Sequence, residues 1–264
     1  MGSTMKTRAT AALLAAGIAG MATLSGASAQ EVVRIGTTPE SYPPFTTIDA
    51  NGAVQGFEAD LAAAFCEEMQ VKCEWVLQAW DGIIPALTEN KFDAIIASMS
   101  ITEERKQVVD FSAKYYNTPA MFVGAKSADI TISPEGLAGK IVGVQVSTVH
   151  AAYIEAKYKD IVEIKNYDTQ ENANLDLIAG RVDLLLADSI ALEDSLLKTP
   201  DGEDFEVKGE PFTDPLMGDG VGVAVRKEDT ALRDKFSAAI KALRDSGKYK
   251  EINDKYFTFD VYGG

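Results

Sequence analysis

Hydroxyl groups and an arginine follow an apolar run at residues 98–105 and precede a predicted helix. Free N–H groups at a helix start bind anions, and a guanidinium binds a carboxylate through two parallel hydrogen bonds. The segment therefore predicts a carboxylate site in which Ser98, Ser100 and Arg105 supply the polar groups. The alternative interpretation is an ordinary helix start, with Ser100 or Thr102 as its cap and Arg105 as a surface charge.

Two further segments place polar groups directly after apolar strands. Ser147 and Thr148 follow residues 140–144 and start another predicted helix. They either offer N–H and hydroxyl groups to a ligand or only cap that helix. Asp188 follows the apolar run 184–187. A carboxylate at the end of a buried strand needs a partner, which is either a ligand ammonium group or a neighbouring backbone N–H.

Motifs for catalysis and for cofactors are absent from the sequence. There is no Gly-x-Ser-x-Gly elbow, no phosphate-binding P-loop and no Gly-x-Gly-x-x-Gly after a strand. His150 is the only histidine, and no cysteine and histidine group has zinc spacing. We therefore predict a binding protein rather than an enzyme, with no cofactor and no metal.

The N-terminal residues have the layout of a secretory signal peptide. Lys6 and Arg8 form a positive region, residues 9–22 are small and mostly apolar, and a small-x-small cleavage site follows. We predict that residues 1–29 are removed and that the mature chain begins at Gln30. A membrane anchor is the alternative, but the apolar stretch is short for one. No later run of 18 or more apolar residues occurs, so we expect an exported protein without membrane insertion.

The two cysteines, Cys66 and Cys73, are interpreted in the light of export. A lone pair of cysteines in an oxidising compartment is most simply a disulfide. A metal site or a catalytic thiol is the alternative, and it is less favoured because His150 lies far away in the sequence.

The composition is acidic, with a formal charge of −15 that becomes −17 without the two cationic residues of the signal peptide. Such a surface repels nucleic acid and anionic lipid, so neither is an expected partner. A negative surface also mildly favours a cationic ligand.

Apolar periodicity predicts two successive units with the same order of elements. Each unit has a strand, a helix, a short strand, a second helix and an apolar strand that carries an acidic residue, Asp93 or Asp183. Asn51 and Gly52 predict a turn, which suits a hairpin. Two α/β lobes that face each other would enclose a cleft beyond their strand ends. The predicted strands are 32–36, 72–77, 92–97, 140–144, 161–167, 182–187 and 220–226, and the predicted helices are 57–69, 83–90, 102–108, 150–157, 169–179, 189–197, 230–246 and 249–256.

From residue 33 to the end, the sequence resembles the periplasmic solute-binding proteins of polar amino-acid ABC transporters. It is most similar to the branch that binds lysine, arginine, ornithine and histidine. The matching segments are Arg-Ile-Gly-Thr at 34–37, Gly-Phe-Glu-Ala-Asp-Leu at 56–61, the cysteine pair at 66–73, Trp-Asp-Gly-Ile-Ile-Pro-Ala-Leu at 80–87, Phe-Asp-Ala-Ile at 92–95, Ser-Met-Ser-Ile-Thr at 98–102 and the ending at 256–264.

The resemblance implies a fold and a set of partners. The fold is the type II periplasmic-binding-protein fold, an α/β architecture of two lobes joined by a two-strand hinge. Residues 30–116 and 220–264 would form the first lobe, and residues 118–219 the second. The expected partners are an amino-acid ligand and the membrane permease of an ABC importer, which recognises the closed form. The receptor is expected to be a monomer in the periplasm, and a chemosensor is a further possible client.

The resemblance also implies roles for single residues. Arg105 would pair with the α-carboxylate of the ligand, with hydrogen bonds added by Ser100 and Thr148, and Ser147 is a further member of the implied site. Asp188, helped by Ser98, would bind the α-ammonium group. The remaining residues of the implied site are Met99 and, around the ligand side chain, Tyr42 and Trp80 as aromatic walls and Glu40 as partner of a distal cation.

Several positions depart from the pattern of that branch. The loop of residues 37–42 is one residue longer, Trp80 stands where phenylalanine is frequent, and Val149 stands where a polar residue is expected. Trp80, Ala97 and Met99 are similar to the binders of opines such as octopine and nopaline. A cationic amino acid (arginine, lysine, ornithine or histidine) is therefore the predicted ligand, with an opine or glutamine as the alternative. A periplasmic dehydratase of a cyclic amino acid on the same fold is the rival from the enzyme class, with Glu40 as its candidate acid or base.

Overall fold

The structure is a computed structural model that describes residues 1, 2, 4 and 30–263. The predicted signal peptide lies almost entirely outside these described residues. Among the helices that the structure describes, none is both long and apolar enough to cross a membrane.

Two five-stranded mixed sheets form the framework of the protein. The first contains, in spatial order, β4 (Lys72–Leu77), β1 (Val32–Thr37), β5 (Ala94–Ile95), β12 (Val221–Arg226) and β6 (Val109–Tyr116). The second contains β9 (Glu163–Tyr167), β8 (Ile141–Gln145), β10 (Leu184–Asp188), β7 (Ala120–Ala125) and β11 (Phe205–Phe212). A separate hairpin pairs β2 (Thr47–Ile48) with β3 (Val54–Gln55), as the Asn51–Gly52 turn predicted.

The two sheets repeat one pattern of pairing. In each, the first two neighbouring pairs are parallel and the last two are antiparallel. The predicted class, two α/β lobes of the same architecture, is therefore confirmed. Lobe 1 is the first sheet with its helices α1 (Phe57–Glu68), α2 (Ile83–Thr88), α7 (Thr230–Ser246) and α8 (Lys248–Asn253), and lobe 2 is the second sheet with α3 (Pro134–Leu137), α4 (Val149–Tyr158), α5 (Gln170–Ile178) and α6 (Ser189–Leu192).

The acidic residue that recurs in the sequence has the same task in both lobes. Asp93 accepts a hydrogen bond from the backbone N–H of Arg34 at 2.9 Å, and Asp183 accepts one from Ile141 at 2.8 Å. Asp93 thus joins the residue before β5 to β1, and Asp183 joins the residue before β10 to the first residue of β8. The acidic residue recurs in the sequence because each lobe uses it for this hydrogen bond.

Large apolar side chains hold each lobe together. In lobe 1, Phe45 stacks on Tyr116 with ring centroids 4.6 Å apart, and Phe57 meets Phe257 edge-on at 4.9 Å. In lobe 2 the successive leucines at the start of β10 are fully buried. Four successive apolar residues before Asp188 suit this place, because helices cover both faces of the sheet.

Some predicted elements differ from those observed. The predicted strand 92–97 pairs only over β5, because the chain leaves the sheet before Ser98, whose φ is 54°. The predicted helix 102–108 is a single 3₁₀ turn, Arg105–Gln107, and Thr102 Oγ1 accepts the N–H of Arg105 at 3.2 Å. Strands β6 and β11 are absent from the predicted elements, since polar residues in β6 and a proline in β11 interrupt the apolar pattern. Strand β7 is also absent from them, although its sequence is an apolar run.

The predicted disulfide is confirmed. Cys66 lies near the end of α1 and Cys73 lies in β4, and they are bonded to each other. The bond ties the helix to the outermost strand of the first sheet across a sequence separation of seven residues.

Replacement of both cysteines by alanine should lower the free energy of unfolding by about 2–3 kcal/mol, because the unfolded chain regains the entropy of an open loop. Urea denaturation of the oxidised protein and of C66A/C73A measures the difference. A reducing agent should destabilise the wild type and leave C66A/C73A unchanged. Equal midpoints for the oxidised wild type and the variant would contradict the prediction.

Candidate functional site

A cleft with two connected compartments lies between the lobes. The first compartment has a volume of about 600 Å³, and the second has about 1160 Å³, both counted with the space open to solvent. Five residues line both, so the compartments form one continuous cleft: Tyr42, Ser98, Ser100, Val149 and His150. The second compartment reaches toward the segments that connect the lobes, residues 116–118 and 213–221.

Arg105 lines the first compartment and is held in place by carbonyl groups of both lobes. Its Nη1 donates to the carbonyl oxygen of Ser100 and its Nη2 to that of Ser147, both at 2.9 Å. The guanidinium carbon also lies 5.4 Å from the centroid of the Trp80 ring. Two of the five N–H donors of the guanidinium are used in this way, which leaves three for a ligand.

The charge of Arg105 lacks an anionic partner. Burial lowers the pKa of Arg105 to about 10. No carboxylate of residues 30–263 forms an ion pair with it at 4 Å or less. Arg105 is half-buried, and only the charge of Glu104 partly offsets its desolvation. A partly desolvated cation without an ion-pair partner is unfavourable, so this compartment favours a bound carboxylate.

Glu40 lines the same compartment with the opposite charge. Its Oε2 is buried and accepts no hydrogen bond from the residues that the structure describes. A buried carboxylate oxygen without a donor carries a desolvation cost that a ligand cation removes. The compartment thus holds an unpaired cation, Arg105, and an unpaired anion, Glu40, which together complement a ligand that carries both charges.

Glu58 shapes the lobe 1 wall of the cleft. This fully buried carboxylate accepts the N–H and the hydroxyl of Ser98, at 2.7 and 3.3 Å, and the hydroxyl of Thr46 at 2.8 Å. The hydroxyl of Tyr115 is a further donor. Burial raises the pKa of Glu58 despite these donors. Ser98 thus donates both its N–H and its hydroxyl hydrogen to Glu58, while its hydroxyl oxygen keeps the capacity to accept a hydrogen bond.

The start of α4 forms the lobe 2 wall. The Thr148 hydroxyl accepts the N–H of Ala151 at 3.1 Å and donates to the carbonyl oxygen of Gln145 at 2.7 Å. The hydroxyl is thus the helix cap, the alternative left open by the sequence, while the positive end of the helix faces the cleft. His150 follows in the first turn, where burial and the charge of Arg105 lower its pKa to about 4. It is therefore neutral at physiological pH.

Asp188 lines the second compartment and not the first. Its Oδ1 accepts the N–H groups of Ile190 and Ala191, at 2.9 and 3.1 Å, and its Oδ2 accepts the hydroxyl of Thr118. Burial raises the pKa of Asp188 to about 6 in spite of these donors. Tyr42 lies close by, and burial together with the charge of Asp188 raises the pKa of the tyrosine well above 10.

The other predicted site residues divide into two groups. Tyr42, Trp80 and Ser100 line the first compartment. The side chain of Met99 lines neither compartment, because the residue is 1% exposed and packs in the core of lobe 1. Its neighbours Ser98 and Ser100 line both compartments.

Ser147 also lies outside both compartments and belongs to a set of contacts between the lobes. Its hydroxyl donates to Asp81 at 2.6 Å, and its carbonyl oxygen accepts from Arg105. Trp80 Nε1 donates to the carbonyl oxygen of Val146 at 3.0 Å. Three side chains of lobe 1 therefore bond to one two-residue loop of lobe 2.

Sequence reasoning missed several residues that line the first compartment. Gln145 ends β8, Gln170 begins α5, and His150 stands in the first turn of α4. Their positions at strand ends and helix starts were the available signal. Glu58 gave no such signal, because it lies within a helix and reaches the cleft only through packing.

Comparisons with known proteins place these features in context. The model of the bacterial extracellular solute-binding proteins, family 3, matches residues 33–259. The L-arginine-binding protein of Pseudomonas aeruginosa is 48% identical over 254 residues, which cover 96% of this chain and 98% of that protein. The lysine/arginine/ornithine-binding periplasmic protein of Escherichia coli is 41% identical over 241 residues, with 90% and 92% covered. A solved ancestral arginine-binding protein bound to arginine has a TM-score of 0.79 and 37% identity, with 86% and 99% covered.

The bond between Ser147 and Asp81 should contribute a coupling energy between the lobes of about 1 kcal/mol, since one partner is charged but solvent is near. A double-mutant cycle of S147A, D81N and S147A/D81N, followed by urea unfolding, measures it. The variant E103Q is the control, because Glu103 pairs with Lys106 within lobe 1. A coupling energy of zero would contradict a bond between the lobes in solution.

Proposed function

The chain belongs to the bacterial extracellular solute-binding proteins of family 3, and from that premise we propose that it is the periplasmic receptor of an ABC importer for a cationic L-amino acid, arginine above all. The family and the fold expected from the resemblance are thereby confirmed. The observation that carries the proposal is the presence of two unpaired charges in one compartment, the half-buried guanidinium of Arg105 and the carboxylate of Glu40 with its buried Oε2.

The α-carboxylate of the ligand would bind at Arg105. The carbonyl groups of Ser100 and Ser147 fix the guanidinium, and the free N–H groups at the start of α4 add donors from the opposite lobe. Because these groups come from both lobes, the carboxylate would draw the lobes together. The relatives named above are binding proteins, and this arrangement requires no covalent step.

The α-ammonium group would bind Asp188 at the junction of the compartments. A carboxylate that burial has brought to a pKa of about 6 gains most from a cation placed beside it. The ligand side chain would extend between Tyr42 and Trp80 toward Glu40. Aromatic faces attract the stem and head of a cation, and Glu40 offers the buried anion at the end.

Lobe closure would connect binding to transport. We propose that residues 30–116 with 220–264 and residues 118–219 move as two bodies about the connecting segments 117–120 and 217–220. A monomer in the closed form would present one surface of each lobe to a membrane permease. The lysine/arginine/ornithine-binding relative, a periplasmic protein, supports the periplasmic location, and an ABC transporter arginine-binding protein of Escherichia coli, 36% identical over 233 residues, supports the transport role.

Isothermal titration calorimetry against a ligand panel tests the proposal. Arginine should bind most tightly, with lysine, ornithine and histidine behind it. Glutamine should bind at least about 30-fold more weakly than arginine, because a neutral amide leaves the Glu40 carboxylate buried without a cation. Glutamate and octopine complete the panel. Tight binding of glutamine, glutamate or octopine without any binding of the cationic amino acids would refute the cationic assignment.

Replacement of Arg105 by lysine should weaken arginine binding by about 100-fold or more, and replacement by alanine should abolish it, because neither side chain donates two parallel bonds from this position. The same calorimetric titration measures the loss. The control is R181K, since Arg181 pairs with Asp176 on the surface of lobe 2. Tight arginine binding by R105A would show that the carboxylate binds elsewhere.

The pKa of Asp188 predicts that arginine binding weakens in mild acid. The free receptor binds a proton at Asp188 below pH 6, whereas a ligand ammonium group lowers that pKa, so binding must release the proton. Affinity should fall by up to tenfold per pH unit below pH 6. Calorimetry at pH 5 in buffers of different ionisation enthalpy measures the released proton. D188N should bind weakly and without this pH dependence, and a wild-type affinity that is constant from pH 5 to 7 would contradict the pairing.

A further inference from the structure

Two amide side chains of lobe 2 line the first compartment and have no part in the site as described so far. Gln145 is the last residue of β8, and Gln170 is the first residue of α5. Both are polar, and Gln170 is only 5% exposed. A buried amide needs hydrogen-bond partners on both its nitrogen and its oxygen.

The orientation of the Gln145 amide is determined by a backbone carbonyl. Its Nε2 donates to the carbonyl oxygen of Asp168 at 3.0 Å. A carbonyl oxygen only accepts hydrogen bonds, so the nitrogen side of this amide must face the protein. The acceptor Oε1 is the group that remains for the compartment.

The Gln170 amide is oriented by a chain of side chains along lobe 2. Its Nε2 donates to Oδ1 of Asn174 at 2.9 Å, one helical turn further along α5. The Nδ2 of Asn174 donates in turn to the hydroxyl of Ser195 at 2.9 Å. One N–H of Gln170 is thereby used within lobe 2, and no hydrogen bond to its Oε1 is formed by residues 30–263.

Glu40 adds a third acceptor from lobe 1. Its Oε2 is buried in the same compartment without a donor. Glu40, Gln145 and Gln170 thus line one compartment, and one N–H of each amide is bonded within lobe 2. The carboxylate and the two amide oxygens are acceptors that a flat ligand group with several N–H donors would complement.

We propose that Gln145 and Gln170 are specificity-determining residues that accept N–H groups of the ligand's distal guanidinium. The inference rests on the proposed function and deepens it. A guanidinium presents five donors in one plane and no acceptor, whereas the ureido group of citrulline replaces one NH₂ by an oxygen. That oxygen faces acceptors that cannot rotate without breaking the bonds to Asp168 and Asn174. The two amides therefore select arginine against neutral ligands of the same shape.

The test compares arginine with citrulline by calorimetry in the wild type, Q145M and Q170M. Methionine keeps the length of glutamine and removes its strong acceptor. Each substitution should weaken arginine binding about tenfold and citrulline binding at most twofold, so the arginine-to-citrulline affinity ratio should shrink about fivefold or more. The matched control is Q107M, because Gln107 is exposed on the 3₁₀ turn outside the compartment. Its ratio should equal that of the wild type.

Gln170 is buried, so Q170M can lose its fold, and a second variant tests the same inference without replacing Gln170. N174A removes the acceptor that orients the amide and leaves Gln170 itself in place, so the amide can turn and the ratio should again shrink. An unchanged ratio in Q145M, Q170M and N174A, with melting temperatures near that of the wild type, would overturn the inference. A wild type that binds no α-amino acid at all would instead refute the proposed function.

Discussion

The half-buried guanidinium of Arg105, which forms no ion pair with a carboxylate of residues 30–263, is the constraint on which the cleft depends. Removing a cation from water is unfavourable unless an anion compensates for it. The protein supplies only partial compensation through two carbonyl oxygens and the face of Trp80. Because one of those carbonyls belongs to each lobe, the arrangement of Arg105 is tied to the arrangement of the lobes. A ligand carboxylate would complete the charge pairing only where both lobes meet.

The repeated architecture explains why polar groups from distant parts of the chain converge there. Both sheets have the same pattern of parallel and antiparallel pairs, and an aspartate bonds to the backbone of β1 in one and of β8 in the other. Residues that follow strands of both sheets line one cleft. Lobe 1 contributes residues 98–105 after β5, and lobe 2 contributes the start of α4 after β8. Neither lobe alone holds both the cation that binds a carboxylate and the helix start opposite it.

Selectivity within the cleft follows from the distribution of donors and acceptors rather than from total charge. The acidic surface can attract any cation and speeds its encounter with the protein. Discrimination arises where buried groups are left unpaired by the wrong ligand. Arg105 and Glu40 are the charged members of that set, and the fixed amides of Gln145 and Gln170 are the neutral ones.

Local patterns in the sequence determined the two α/β lobes, the disulfide and the positions of Arg105, Thr148 and Asp188 after apolar strands. These features depend on periodicity and on neighbours along the chain, which a single sequence displays. The tertiary structure alone decided that Met99 faces the core, that Glu58 binds Ser98, and that Ser147 bonds to Asp81 across the lobes. Each of these outcomes depends on residues that are distant in the sequence and become neighbours only in the folded chain. No local pattern specifies such a partner, because burial and hydrogen bonding are set by residues that meet only after the chain has folded.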